Sequence, residues 1–177
     1  MSRVAKLTLV IGGARSGKSR YAESLIATLP PPWLYVATAE PGDAEMAARI
    51  AAHRVRRGPD WRTVEAPQQV AAALLTCEAA PALVDCLTLW LSNLMLAHTD
   101  IDAETARLEE ALAAAKAPVV LVANEVGSGI VPEHALGRQF RDLQGVLNQR
   151  MAARADCVIL MVAGLPLTVK SAEDTSP

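Results

Sequence analysis

The sequence predicts an α/β fold, a mostly parallel β-sheet with helices on both faces. Short β-branched or aliphatic runs recur at Leu7–Ile11, Leu34–Ala37, Leu83–Asp85, Val119–Ala123 and Val158–Val162, and the stretches between them are long enough to hold helices. That is the rhythm of βαβ units. The runs are continuously apolar instead of alternating, as strands covered on both faces are.

The elements follow in order. After the first strand, Lys18 to Leu29 reads as a helix stopped by Pro30, Pro31 and Pro32, whose rings and missing donors cannot continue one. A second helix is expected to begin near Asp43, a suitable N-cap, and Arg62–Val64 could add a short strand. Cys86 to Ala97 is apolar almost all round, as a buried helix is, and Ile101 to Lys116 is more amphipathic. Leu136, Phe140, Leu143, Leu147 and Met151 share one helical stripe, with Arg138, Arg141 and Arg150 off it. No internal repeat interrupts this plan. Residues 1–170 are expected to form a single nucleotide-binding domain, and 171–177 a polar tail that frays.

Composition narrows the function classes. Aromatic residues make up only 3% of 177 residues, against 51% hydrophobic, so the core must be built from Ala, Leu, Val and Ile. A formal net charge of −2 and a pI near 5.9 give no reason to expect nucleic acid as a partner. Cys77, Cys86 and Cys157 lack metal-ligand spacing, and nothing near the N-terminus reads as a secretory signal, so a reducing cytoplasm is expected. No apolar run reaches the ~18 residues of a membrane span.

Gly12-Gly13-Ala14-Arg15-Ser16-Gly17-Lys18-Ser19 satisfies G-x-x-x-x-G-K-[ST] between a strand and a helix, the context that a phosphate-binding P-loop needs. Its glycines let backbone N–H groups turn toward phosphate oxygens, and the helix adds its positive end. Lys18 would reach the β- and γ-phosphates, and the Ser19 hydroxyl would bind Mg²⁺. A carboxylate at the end of another strand must help hold the metal, and Asp85 is the best placed; its other reading is an N-cap for the following helix. Glu125, after the Val119–Ala123 run, could orient a hydroxyl or water, or be a solvated loop acid.

A P-loop does not name the reaction. The guanine-reading Asn-Lys-x-Asp motif of switch GTPases is absent, which argues against a Ras-like switch. A kinase of some small molecule and a non-transferring ATPase or switch both stay open on these residues. The helix expected over 43–57 carries His53 near its apolar face, with Arg49, Arg56 and Arg57 as helical neighbours. Their charge would keep the imidazole neutral and could hold a triphosphate, which suits attack on phosphorus. From the residues alone the nucleophile is the lesser reading of His53, against a packing or phosphate-positioning role. His98, at a helix end, and His134, in a loop, suggest no chemistry.

Taken together, GGARSGKSRYAE (12–23), YVAT (35–38), DAEMAARIAAHR (43–54), WRTVEAP (61–67), LVDCLTLWLSNLM (83–95), VANEVGSGIVPE (122–133) and FRDLQGVLNQRMAARAD (140–156) carry a resemblance that spans nearly the whole chain. The sequence resembles the bifunctional adenosylcobinamide kinase and adenosylcobinamide-phosphate guanylyltransferase family of cobalamin biosynthesis. The resemblance implies a P-loop NTPase-like (RecA-like) fold and two reactions, phosphorylation of adenosylcobinamide and transfer of GMP from GTP onto that phosphate. ATP and GTP are the implied nucleotide substrates, with Mg²⁺, and His53 the implied guanylylated nucleophile. It implies nucleotide contacts at Gly12 to Ser19, at Ala37, Thr38 and Ala39, at Val55, Arg56, Arg57 and Gly58, and at Glu65 and Asp85. It also implies a homo-oligomer, a trimer. Neither spacing nor resemblance assigns a role to Arg141 or Asn148.

Overall fold

The computed structural model describes residues 4–40, 42, 57–76 and 79–171. The helix expected from Asp43, with His53, therefore lies outside the described residues, as does the tail beyond Ser171.

The elements are β1 (Leu7–Gly12), α1 (Lys18–Ile26), β2 (Trp33–Ala37), β3 (Trp61–Glu65), α2 (Val70–Leu75), β4 (Ala82–Asp85), α3 (Leu87–Leu96), α4 (Ile101–Ala114), β5 (Val119–Asn124), α5 (Ala135–Arg154), β6 (Cys157–Val162) and β7 (Leu165–Lys170). All seven strands form one sheet in the order β3-β2-β4-β5-β1-β6-β7, parallel throughout except for β7, which runs antiparallel to β6.

Alternation along each strand divides the core into two layers. Leu7 and Leu9 of β1, Leu34 and Val36 of β2 and Val119 and Leu121 of β5 face α2, α3, α4 and α5. Val10, Tyr35, Leu83, Val120 and Val122 face α1 through Ala22 and Ile26. The expectation of helices on both faces is met, and the central strands are buried because each face is covered. Burying one such Leu or Val stabilises the fold by about 1.5–3 kcal/mol before chain entropy is counted. Trp90 is 1% exposed and has its indole N–H bonded to the Gln68 carbonyl at 2.7 Å, as a buried polar atom requires.

Helix ends are finished by local chemistry. At the start of α4, the Asp100 carboxylate accepts from the Ala103 amide, while Asp102 and Glu104 oppose the helix dipole. At the end of α3, Thr99 N–H bonds the Leu94 carbonyl and His98 N–H the Met95 carbonyl, with His98 at φ 54°. That is the Schellman closure, so His98 serves through its backbone. At the end of α5, Lys170 Nζ from β7 donates to the carbonyls of Ala152, Ala153 and Ala155, closing the helix from outside.

Besides α2, a short helix that the sequence reading does not name, two elements differ from the sequence expectation. The stripe on α5 meets the core only from Phe140 onward, through Leu143, Leu147 and Met151, while Leu136 is 58% exposed. Gly137 lets Pro132 pack against the first turn, where a Cβ would meet the proline at 2.9 Å, and Arg138 donates to the carbonyls of Pro132 and Glu133. The first turn is thus tied to its own entering loop, and Leu136 is left outside. The second difference is β7, which the sequence reading omits. Its Leu165, Leu167 and Val169 are all exposed, and Pro166 is tolerated because the strand is at the sheet's edge.

Glu109 of α4 accepts from Arg150 Nε at 2.9 Å and from Arg154 at 2.8 Å on α5, locking two helices on one face. The bond from Arg150, working against burial and joined by that from Arg154, holds the Glu109 carboxyl below its ordinary range. Its contribution to stability is therefore complete above the ordinary carboxylate pKa and is lost as pH falls through the lowered one. Glu109→Gln is expected to destabilise the protein by about 1 kcal/mol at pH 7. Urea melts of the two proteins should converge as the pH is taken below about 4.

Candidate active site

The parallel strands all end at one edge, and the loop from Gly12 to Ser19, Ala37, Glu65 and Asp85 lie along it. Across that edge Glu65 is in register with Ala37, Ala37 with Asp85, and Asp85 with Val122. The loop from Gly12 to Ser19 rises from β1 one step beyond, where Gly12 pairs with Asn124 on one side and Met161 on the other. From β1 the chain crosses to the β2 side, and only β6 and β7 return to the other, so the loop stands where strand order reverses. Ligands of open α/β sheets bind at such points.

The loop has its shape because of where its glycines sit. A Cβ on Gly12 would lie 2.5 Å from the Met161 carbonyl oxygen and 2.8 Å from Ser16 Oγ, so only glycine permits this approach to β6. Gly17 takes φ 95° at the N-cap of α1, and no side chain caps that helix. The first amides of α1 are therefore left for a ligand, in a place where the helix dipole favours negative charge. The loop is held from both sides, by Glu125 N–H on the Gly12 carbonyl and by Gly164 N–H on the Ser16 carbonyl, each at 3.0 Å. Gly164 belongs to the Ala163-Gly164 turn joining β6 to β7, with φ of 51° and 82°, the hairpin geometry that needs positive φ at both positions.

Lys18 is buried at the base of the loop, and its Nζ donates to the Gly13 carbonyl at 2.5 Å and to Ser16 Oγ at 3.4 Å. Burial lowers its pKa, with Cys86 and Asp85 acting in the opposite direction. Ala14 and Arg15 stand exposed at the crest of the loop. Ser19 follows Lys18 in the first turn of α1 and is half-buried.

Asp85 ends β4 and does not cap α3, whose N-cap is Cys86 without a side-chain bond. Its Oδ2 instead accepts from the hydroxyl of Tyr35 on the neighbouring strand at 2.9 Å. Burial and then the Asp85 charge push the Tyr35 pKa well up, so the phenol stays a donor. Burial and Asp85 also push the Cys86 thiol up, to about 11, which leaves it an unreactive apolar group.

Thr38 is fully buried. Its hydroxyl donates to the Cys86 carbonyl and accepts from the Cys86 amide, both at 2.7 Å, and its own carbonyl takes a bond from Asn93. This latch fastens the end of β2 to the end of β4 and occupies the Thr38 hydroxyl, with Ala37 and Ala39 half-exposed beside it. Glu65 is exposed at this edge, the last residue of β3, whereas Gly58 is exposed ahead of the first residue of that strand, at the opposite end. His53, Val55 and Arg56 lie outside the described residues, but Arg57 is described. Its guanidinium carbon stands 3.4 Å from the centroid of the Tyr35 ring.

Glu125 turns inward. Its carboxylate accepts from the amides of Gly127 at 2.6 Å and Ser128 at 3.3 Å. Burial would raise its pKa, but these bonds and Arg141 bring it below the ordinary value, so it is a charged staple for the loop after β5. Behind that loop, Gln144, Asn148 and Asn124 form a polar chain: Gln144 Nε2 donates to Asn148 Oδ1 at 2.8 Å, and Asn148 Nδ2 to the Asn124 carbonyl at 3.0 Å. The Thr88 hydroxyl completes it by accepting from the Asn124 amide. The sequence reading missed the Tyr35, Thr38 and Gly164 contacts. Only the glycine signals itself, as the second residue of a tight turn between two apolar runs.

Mg²⁺ fits this donor set. Among the described residues no cluster of three or more His, Cys, Asp or Glu could hold a metal unaided. A hydroxyl and one carboxylate, Ser19 and Asp85, are instead the sparse oxygen set that Mg²⁺ uses when substrate phosphates supply further ligands.

The class of protein is thereby defined: a P-loop nucleotide-binding protein of the RecA-like kind. Solved structures agree on the fold. The RadB recombinase matches with a TM-score of 0.53 at 17% identity, covering 89% of this chain and 75% of that one. An ATPase of the type III secretion system of pathogenic bacteria matches with a TM-score of 0.56 at 11% identity, covering 89% of this chain and 52% of that one.

Sequence comparison is more specific. The family model for cobinamide kinase / cobinamide phosphate guanyltransferase matches residues 8–169. The bifunctional adenosylcobalamin biosynthesis protein CobP of Pseudomonas aeruginosa is 48% identical over 166 residues, covering 92% of this chain and 96% of its own. CobU of Salmonella typhimurium, described in the same words, is 44% identical over 182 residues, covering 93% and 99%. The chain belongs to the cobinamide kinase / cobinamide phosphate guanyltransferase family and is an enzyme of that kind.

The glycine geometry leads to a paired expectation. Gly12→Ala should destabilise the protein by about 1–3 kcal/mol, because the new methyl meets backbone that cannot swing away. Nothing lies within 4 Å of a Cβ on Gly13, so Gly13→Ala should stay within about 0.5 kcal/mol of the parent. Thermal melts without nucleotide make the comparison.

Proposed function

We propose that this chain phosphorylates a hydroxyl of adenosylcobinamide with ATP or GTP and then transfers GMP from GTP onto the new phosphate through a guanylylated His53. What most supports this is a P-loop with an uncapped helix end facing a strand-end carboxylate, Asp85, in a chain whose family match runs from 8 to 169.

In the first reaction the amides of Gly13 to Lys18 and the start of α1 bind the triphosphate. Lys18 Nζ leaves the Gly13 carbonyl and meets the β- and γ-phosphates, where charge grows as the acceptor hydroxyl attacks phosphorus in line. The bond from that phosphorus to the bridging oxygen breaks and the nucleoside diphosphate leaves with its electron pair; Ser19 and Asp85 would hold a Mg²⁺ that would further neutralise the triphosphate. Arg57, Ala39 and Glu65 are proposed to contact the nucleotide from the β2–β3 side.

In the second reaction His53 attacks the α-phosphorus of GTP. A P–N bond forms, the bond to the bridging oxygen breaks, and pyrophosphate leaves with that electron pair. A phosphate oxygen of adenosylcobinamide phosphate then displaces the histidine. The two attacks fall about two phosphates apart, so either His53 moves or the triphosphate binds in two poses.

The enzyme is proposed to work in the cytoplasm; among the described residues no helix is long and apolar enough to cross a membrane. We also propose that it is a homo-oligomer, a trimer. The exposed apolar row Val162, Leu165, Leu167 and Val169 supports self-association, since exposed apolar patches commonly mark contact sites.

GTP labelled at the α-phosphate should leave acid-labile, base-stable label on the parent and none on His53→Ala, which keeps its kinase activity. Label persisting in His53→Ala would sink the covalent route. Lys18→Ala should lower kcat/KM of the kinase step by at least about 100-fold, or 2.7 kcal/mol. Light scattering should give a trimer mass for the parent and a smaller one for Leu167→Asp; a monomeric parent would refute the assembly.

A further inference from the structure

We infer that Tyr35 is a positioning residue of the nucleotide site, one side chain that sets both Asp85 and Arg57. This rests on the proposed role of Asp85 as a metal-holding carboxylate. Tyr35 is the middle residue of β2, 4% exposed, on the face that α1 shares. Its two ends do different things. The hydroxyl donates to Asp85 Oδ2 at 2.9 Å, which removes the free rotation of a carboxylate at the last residue of β4. The ring face carries Arg57, whose guanidinium carbon is 3.4 Å from the centroid, and the ring edge meets Trp61 at 6.0 Å and 79°, which keeps the phenol from turning.

Arg57 is the second observation. Its Nε and Nη1 are enclosed, yet among the described residues neither has a hydrogen-bond partner. A guanidinium laid flat on a ring keeps its N–H groups in the plane, free for a planar or tetrahedral oxyanion. A buried donor left unpaired is costly, and a triphosphate oxygen is the partner that the proposed site supplies. Tyr35 thus fixes a cation for phosphate and an anion for the metal at a set separation. Outer partners of metal-holding carboxylates commonly change metal affinity by about 10–100-fold when removed.

The test uses Tyr35→Phe, which keeps the ring under Arg57 and removes only the bond to Asp85, and Tyr35→Leu, which removes both. Binding of a fluorescent GTP analogue is titrated in EDTA and with increasing Mg²⁺, alongside kinase assays and thermal melts. Tyr35→Phe should raise the Mg²⁺ concentration at half-effect about tenfold and leave metal-free affinity within about twofold, whereas Tyr35→Leu should also weaken metal-free binding about tenfold. Asp85→Asn is the control and should raise the Mg²⁺ requirement at least as far. If Asp85→Asn shifts it and Tyr35→Phe melts lower but binds Mg²⁺ like the parent, Tyr35 is merely structural and the inference is overturned. If Asp85→Asn leaves it unchanged, the metal role of Asp85 falls and the inference with it.

Discussion

The approach of Gly12 to the backbone of β6 is the constraint on which the rest of this site depends. A chain leaving a buried parallel strand must turn sharply to start a helix over the same sheet, and here it does so against the Met161 carbonyl with no room for a methyl group. That contact sets the loop low enough for Lys18 to be buried beneath it and for the α1 amides to point at its mouth. The loop is not freestanding. The strand ends flanking β1 each contribute one amide, Glu125 from β5 and Gly164 from the β6–β7 turn, and these clamp its two carbonyls.

A second layer of bonds sets the far side of the cleft. The Thr38 latch joins β2 to β4, and the Tyr35 phenol steadies Asp85, two residues nearer the edge in the register. The loop after β5 is pinned by its own glutamate. The Tyr35 and Thr38 links are part-buried or buried hydrogen bonds between neighbouring strands, where a missing partner costs more than the bond contributes. The parallel sheet makes this economical: six strands deliver their last residues to one edge, so short side chains suffice to connect them.

This division explains what could be read from the sequence. Strands buried on both faces announce themselves as apolar runs, and the glycine, lysine and serine of the loop are dictated by phosphate itself, so the sheet and the P-loop were legible. Asp85 was legible as a carboxylate at a strand end. Its partner was not, because Tyr35 is about fifty positions away and reads as any strand aromatic; only the register of β2 on β4 brings them together. The bonds of the buried Thr38 hydroxyl to Cys86 were not legible either, since the pattern of a strand end does not say which way a hydroxyl turns. Leu136 continued a helical stripe on paper, but periodicity cannot tell where the sheet beneath a helix stops. Strand β7 was missed because its alternation faces solvent and contains a proline.

The open start of α1 ties the enzyme's endurance to its supply of substrate. A helix end with no capping side chain is incomplete until an anion arrives, so the folded state gains stability whenever triphosphate is bound. At a nucleotide concentration a hundred times the dissociation constant the gain is about 2.7 kcal/mol. Nucleotide supply therefore governs how long each molecule resists unfolding and proteolysis as well as how fast it turns over.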